Sequence, residues 1–302
     1  MKKYIIILSL IFCANIVKSQ QLQSSSMYEL VGLIHNPSTA GVMQDENTKA
    51  TVGIVYRTQW SALSGSPKTV TAFGSFKLPK QKIGVGGYLY SDKTGPTART
   101  GIELSLAKHI NFNDGGVFSI GLESRLLQYK IDRAKLTTTL GADPALGTAD
   151  TKMKYDAGFG VSYTNKKLQI GASVSQLVQS KLDYYKAGAS TTEIARLYRH
   201  YYVHGLYNIN FDNDITVTPN AMVIYLPNAP FELQAGARMD YKKTIWWGLG
   251  YRLHQSFMLS AGLTLAKKFN IGYAYDSYNT PISSFDGGHS AHEFMLKFNL
   301  AK

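Results

Sequence analysis

From Lys49 onward, apolar and polar positions alternate at a period of two, the spacing of a strand whose faces meet different surroundings. The C-terminal part shows it best. Phe257, Leu259, Ala261, Leu263 and Leu265 alternate with Met258, Ser260, Gly262, Thr264 and Ala266, and Phe294, Leu296, Phe298 and Leu300 alternate with Glu293, Met295, Lys297 and Asn299. The pattern predicts strands over 49–60, 67–78, 81–91, 97–110, 116–130, 152–164, 167–178, 197–210, 214–226, 230–241, 244–253, 256–266, 269–278 and 291–300. The connections are of two kinds. Those such as Asn165-Lys166, Lys242-Lys243 and Lys267-Lys268 are a few residues long, whereas Ile131 to Thr151, Gln179 to Arg196 and Asn279 to Ser290 are long and rich in Gly, Ser, Thr and Asp. Short turns on one side and long loops on the other are the mark of an outer-membrane barrel, and an even strand count puts both barrel ends on the periplasmic side. The expected fold is all-β: a transmembrane antiparallel β-barrel of about fourteen strands. A soluble β-sandwich also alternates, but the many tyrosines near strand ends (Tyr88, Tyr90, Tyr155, Tyr163, Tyr251, Tyr273, Tyr275) fit interfacial aromatic girdles.

The first residues add an export signal. Lys2 and Lys3 precede an apolar run from Ile5 to Ala14, and Ser19 offers a small residue for cleavage before Gln20. The run is shorter than the ~18 to 20 residues of a spanning helix, and no later segment approaches that length. The only cysteine, Cys13, lies inside the signal, and Phe12 before it argues against lipidation. The domain reading is therefore a signal peptide over 1–19, an N-terminal arm over 20–48 and an outer-membrane barrel over 49–302.

Charge changes the picture little. The formal charge of +12 falls to +9 once cleavage removes Lys2, Lys3 and Lys18. Lysines recur at the short turns (Lys80, Lys82, Lys166, Lys167, Lys242, Lys243, Lys267, Lys268), which points to a basic periplasmic rim, with outer-membrane lipid around the barrel and no nucleic acid as partner.

The arm carries Asn36-Pro37-Ser38-Thr39-Ala40-Gly41, a stretch of turn chemistry, after a possible short helix over Met27 to Ile34. A barrel of this size leaves a lumen that needs filling, so the arm is expected inside. Arg57, Glu103, Glu123, Arg125, Asp156, Arg238, Asp240, Arg252, Asp276 and Glu293 fall on the inward parity, both signs together, and predict a braced interior in which Asn36, Pro37, Gly41, Arg57, Asp156, Arg252, Asp276 and Glu293 are structural. His200 and His204, four apart on a strand, are ~13 Å apart and cannot share one ion. The group around His289, His292, Asp286 and Glu293 lies at a loop end, and no metal is expected. Gly84-Val85-Gly86 and Gly158-Phe159-Gly160 lie inside strands without a following helix, so they read as close packing rather than nucleotide binding. No catalytic spacing is present, so no enzyme and no cofactor are expected.

The residues also carry a resemblance. Asn36-Pro37-Ser38-Thr39-Ala40-Gly41, Tyr56-Arg57-Thr58-Gln59-Trp60, Gly65-Ser66-Pro67-Lys68-Thr69, Asp156-Ala157-Gly158-Phe159-Gly160, Gly250-Tyr251-Arg252, Ile271-Gly272-Tyr273-Ala274-Tyr275-Asp276 and His292-Glu293-Phe294-Met295-Leu296, in this order, resemble the PorP/SprF outer-membrane proteins of the type IX secretion system of Bacteroidetes. The arm departs from the family pattern at Ser38-Thr39, where Ala and an aromatic residue are commoner. The resemblance implies a non-enzymatic barrel that supports export or surface anchoring of a large secreted adhesin, with a C-terminal sorting domain, in gliding or adhesion. It also implies contact with periplasmic secretion components. Long outer loops, with Tyr184 and Tyr185, are the expected cargo surface. A FadL-like transporter of hydrophobic solutes is the alternative, since such barrels also carry a lumen arm with Asn-Pro.

Overall fold

A computed structural model describes residues 24–43, 47–140, 151–182, 196–211, 214–227 and 229–301. The strands, in chain order, are β1 (Thr48–Gln59), β2 (Lys68–Leu78), β3 (Ile83–Thr94), β4 (Thr97–Asn111), β5 (Val117–Ile131), β6 (Thr151–Thr164) and β7 (Leu168–Ser175). They continue as β8 (His200–Tyr207, prolonged by Ile209–Asn210), β9 (Ile215–Tyr225), β10 (Glu232–Tyr241), β11 (Ile245–Arg252), β12 (Ser256–Leu265), β13 (Phe269–Tyr278) and β14 (Ala291–Ala301). Each strand pairs antiparallel with its chain neighbour, and β14 returns to pair with β1 from Gln59↔Ala291 to Thr48↔Ala301. The fourteen-stranded sheet is a closed barrel with no free edge, so the backbone groups of the wall find partners within it, as a structure in hydrocarbon requires. No helix among the described residues is long and apolar enough to cross a membrane.

The alternation read from the sequence is the alternation of the two faces. Leu104, Leu122, Leu249 and Phe257 are more than 60% exposed on the outside, while Glu103, Asp276 and Glu293 are fully buried within. The girdle reading fails at Tyr88 and Tyr90: both are buried, because their parity on β3 turns them into the lumen, where Tyr88 accepts a hydrogen bond from Arg125 at 3.0 Å. Tyr155, Tyr251 and Tyr273 are exposed on the outer face.

The eighth strand is interrupted for a chemical reason. Pro219 on β9 has no N–H to offer, so pairing runs to Leu206↔Asn220 and resumes at Ile209↔Val217. The register is unchanged across the gap, where Asn208 Oδ1 accepts a hydrogen bond from Thr218 Oγ1 at 2.9 Å.

The two ends of the barrel differ in their connections, as expected, with two exceptions. Gly95-Pro96 between β3 and β4 and Leu253 to Gln255 between β11 and β12 are tight although they lie at the long-loop end. The loop after β5 also contains a helix, Arg133–Leu140, that no periodicity announces. At the short-turn end the eight lysines are all exposed. Lys242 and Lys243 are the central pair of a turn that Thr244 N closes by donating to Tyr241 O at 3.0 Å, both at φ of 52°, a left-handed pair that Asn-Gly adopts with least strain. Replacing Lys242-Lys243 by Asn-Gly should stabilise the barrel by about 1 to 2 kcal/mol, read as a higher urea midpoint for loss of heat-modifiable mobility on gels. An unchanged or lower midpoint would show that the lysines contribute more than the turn strain costs.

Candidate functional site: the lumen and its arm

The arm lies inside the barrel. It is not one helix but three single 3₁₀ turns, Tyr28–Leu30, Gly32–Ile34 and Pro37–Thr39. Val31, at φ −133° and ψ 49°, breaks the run between the first two, which lets the arm bend along the wall. From the end of the arm joined to β1, the chain crosses the short-turn half of the lumen and then climbs toward the long-loop half, where Ser25 and Ser26 are held.

Three features of the sequence fix this path. The first is Asn36, fully buried before Pro37. Its Oδ1 accepts from Ser38 N at 3.0 Å and closes the turn. Its Nδ2 lies 3.1 Å from Val161 O and 3.0 Å from His204 Nε2, so one amide ties the arm to β6 and β8. Ser38 Oγ, where the family pattern is broken, lies 2.8 Å from Ser162 Oγ, so the small polar residue makes its own wall contact. The second is a set of strand glycines. A methyl group at Gly84 would fall on the Ala40 carbonyl, at Gly121 on the Ser38 backbone and at Gly160 on the Asn36 amide, so these glycines are slots that admit the arm's backbone. Gly41 sits at φ +72° against Gly84, a conformation and a clearance that suit glycine alone.

The third is a buried charge cluster at the seam. Arg57 on β1 donates to Asp276 Oδ2 at 2.7 Å and to Glu293 Oε2 at 2.9 Å, and all three are buried. Arg252 reaches Asp276 at 3.4 Å and Glu232 at 3.3 Å, and Tyr278 OH accepts from both guanidiniums at 3.2 and 3.0 Å. The arm enters this network directly: Ser25 Oγ donates to Glu293 at 2.6 Å, Ser26 Oγ to Asp276 at 2.5 Å, and Arg57 to Ser26 Oγ at 2.7 Å.

The structure thus brings together Arg57, Arg252, Asp276 and Glu293, places Asn36 and Pro37 against β5, β6 and β8, and seats Gly41 against β2 and β3. Asp156 stands apart. It faces the lumen, but its Oδ1 accepts from Ala157 N at 2.8 Å and Val178 N at 3.0 Å, anchoring the chain after β7 instead of pairing with a cation. Arg125 opposite it turns to Glu103 at 2.5 Å and Glu123 at 3.0 Å. Arg238 pairs with Asp240 at 3.1 Å and with Glu29 of the arm at 3.5 Å. Burial raises the Glu29 carboxyl while the Arg238 guanidinium opposes that rise. Tyr184 and Tyr185 lie outside the described residues, as does the export signal. Among the described residues no three His, Cys, Asp or Glu side chains gather to hold a metal ion.

Sequence reasoning missed Ser25, Ser26, Glu29 and the Asp92–Arg99 pair at 2.6 Å. The last was within reach, because Asp92 and Arg99 face each other across the tight turn at Gly95-Pro96. The arm residues carry no periodicity that would have pointed to them.

Residues 16–298 match the sequence profile of the type IX secretion system membrane protein PorP/SprF. The chain belongs to the PorP/SprF family. No curated protein sequence is similar enough to count as a relative. Among solved structures, this PorP/SprF barrel is similar to the toluene transporter TbuX of Ralstonia pickettii, at TM-score 0.52 and 10% identity over 89% of this chain and 93% of that one. It is similar to the CymD monoaromatic hydrocarbon channel at TM-score 0.53 and 10% identity, over 93% and 94% of the two chains. A FadL homologue of Pseudomonas aeruginosa matches at TM-score 0.52 and 11% identity, over 88% and 92%. At such identities the shared property is the barrel fold.

Arg57→Met leaves Asp276 and Glu293 buried without their main cation and should cost about 3 to 5 kcal/mol, seen as a lower urea midpoint. Gly121→Val should expel the arm without touching the wall's hydrogen bonds, leaving a heat-modifiable barrel with raised ion conductance in planar bilayers and an arm open to protease. Deleting residues 21–47 should raise conductance likewise, and conductance equal to that of the intact chain would mean the arm does not close the lumen.

Proposed function

We propose that this PorP/SprF barrel sits in the outer membrane and supports export or surface anchoring of a large secreted adhesin, a cargo with a C-terminal sorting domain, in gliding or surface adhesion. The observation that carries the reading is the occupied lumen. The arm is held to β14 and β13 by Ser25 and Ser26 and to β3, β5 and β6 through glycine slots, so a polypeptide has no route through the barrel while the arm is in place. Cargo is then handled at the rims. On the long-loop side the segments 131–151, 179–196 and 279–290 form the cargo surface, with Tyr184 and Tyr185 as contacts, since loops on a rigid scaffold are where binding resides. On the short-turn side the eight exposed lysines offer periplasmic secretion components a basic ring. No step of this role is chemical, and the chain is not an enzyme.

The FadL-like reading keeps one support, the barrel fold shared with a toluene transporter and a FadL homologue. Against it stands a lumen braced by guanidiniums and carboxylates, which a hydrophobic solute would have to pass.

The test is genetic. Trimming 179–196 should leave a correctly inserted, heat-modifiable barrel while the adhesin is lost from the cell surface or released to the medium. If display survives trimming of all three loops, cargo recognition lies in the lumen or at the lysine ring. If the trimmed strain instead loses uptake of toluene with display intact, the transport reading takes over.

A further inference from the structure

A cavity of about 150 Å³ lies beside the arm in the long-loop half of the lumen, away from the Arg57 cluster. Ile34 and His35 form its floor, and buried Leu182 and Leu197 cap it at the two ends of the loop that follows β7. Its walls are aromatic. The Tyr202 ring lies 5.5 Å from that of His35 and 6.4 Å from that of His200, with 18° between the planes of the latter pair, and Tyr90 and Tyr129 face the same space.

Four of its polar atoms have no partner. Among the described residues, His35 Nε2, both ring nitrogens of His200 and Gln176 Oε1 are buried with no hydrogen-bond partner, and His35 and His200 are more than nine-tenths buried. Gln176, at φ 60°, lines the cavity wall. Orphaned buried polar groups of this kind call for an occupant.

The charges identify its class. Arg99 is paired with Asp92 at 2.6 Å, and Arg125 with Glu103 and Glu123 at 2.5 and 3.0 Å, so among the described residues lining the cavity neither guanidinium is free for a phosphate or carboxylate. Burial holds the His35 imidazole down to about 3, so it stays neutral. A sugar would bring more hydroxyls than three open side chains can satisfy. The space matches a single ring: an engineered apolar cavity of ~150 Å³ in another protein takes up benzene.

We propose that this cavity is a binding site for one neutral hydroxyl-bearing aromatic ring, stacked against Tyr202 and hydrogen-bonded by His35, His200 and Gln176. The ring's source is a free phenol or a tyrosine side chain of a peptide. The inference does not rest on the secretion role.

The probes are p-cresol and N-acetyl-tyrosinamide, with toluene as the ring lacking the hydroxyl, titrated by calorimetry and ligand-observed NMR against the full-length barrel in detergent. Saturable binding of p-cresol at least tenfold tighter than toluene is expected, abolished by Leu197→Trp, which fills the space, and weakened about tenfold by His200→Ala, with both variants still heat-modifiable. Should Leu197→Trp fail to fold, Ser175→Phe serves as the second filling variant. Binding of p-cresol alone assigns a small phenol, and binding of both probes assigns a tyrosine of a partner. No saturable binding of either probe, equal affinity for toluene, or binding unchanged in a folded filled variant would overturn the proposal.

Discussion

Arg57 is the residue on which most of the structure converges. It projects from the first strand, its direct register partner across the seam is Glu293 on the last strand, and its other fork reaches Asp276 on the strand before. One guanidinium therefore links the two ends of the sheet and, through Ser26, the arm. Its planar fork suits the task, because a point charge on a lysine could not meet two carboxylates and a hydroxyl in fixed directions. Taken out of water, these groups stabilise the fold only as a complete set.

The wall and the filling obey different rules. Outside, the requirement is simply apolar surface, and leucine, phenylalanine or isoleucine serve at successive positions. Inside, each polar group needs a named partner, and the partners come from strands far apart in the chain, as with Ser25 and Glu293, separated by 268 positions. Hence the wall tolerates an exposed irregularity such as Pro219, while the lumen holds its arm through glycines where even a methyl group would collide.

This division also explains what could be read from the sequence. All fourteen strands were legible, because period-two alternation and turn residues are local signals. The inward charges were legible by parity. Their pairing was not: Asp156 lies opposite Arg125 in register, yet each chose other partners, since a carboxylate close to two backbone N–H groups is satisfied without a cation. Tyr88 and Tyr90 misled because composition places tyrosine at the membrane interface, whereas parity, the stronger constraint, turned them inward. The three short turns of the arm escaped because their shape is dictated by the wall around them.

The arm and the seam form one unit. Ser25 and Ser26 supply donors to Glu293 and Asp276, the same carboxylates that Arg57 draws together across the junction of the last strands with the first. Whatever parts the first strand from the last also separates Arg57 from Asp276 and Glu293, and whatever withdraws the arm leaves these buried carboxylates short of donors. The closure of the wall and the filling of the barrel are thus secured by the same few atoms.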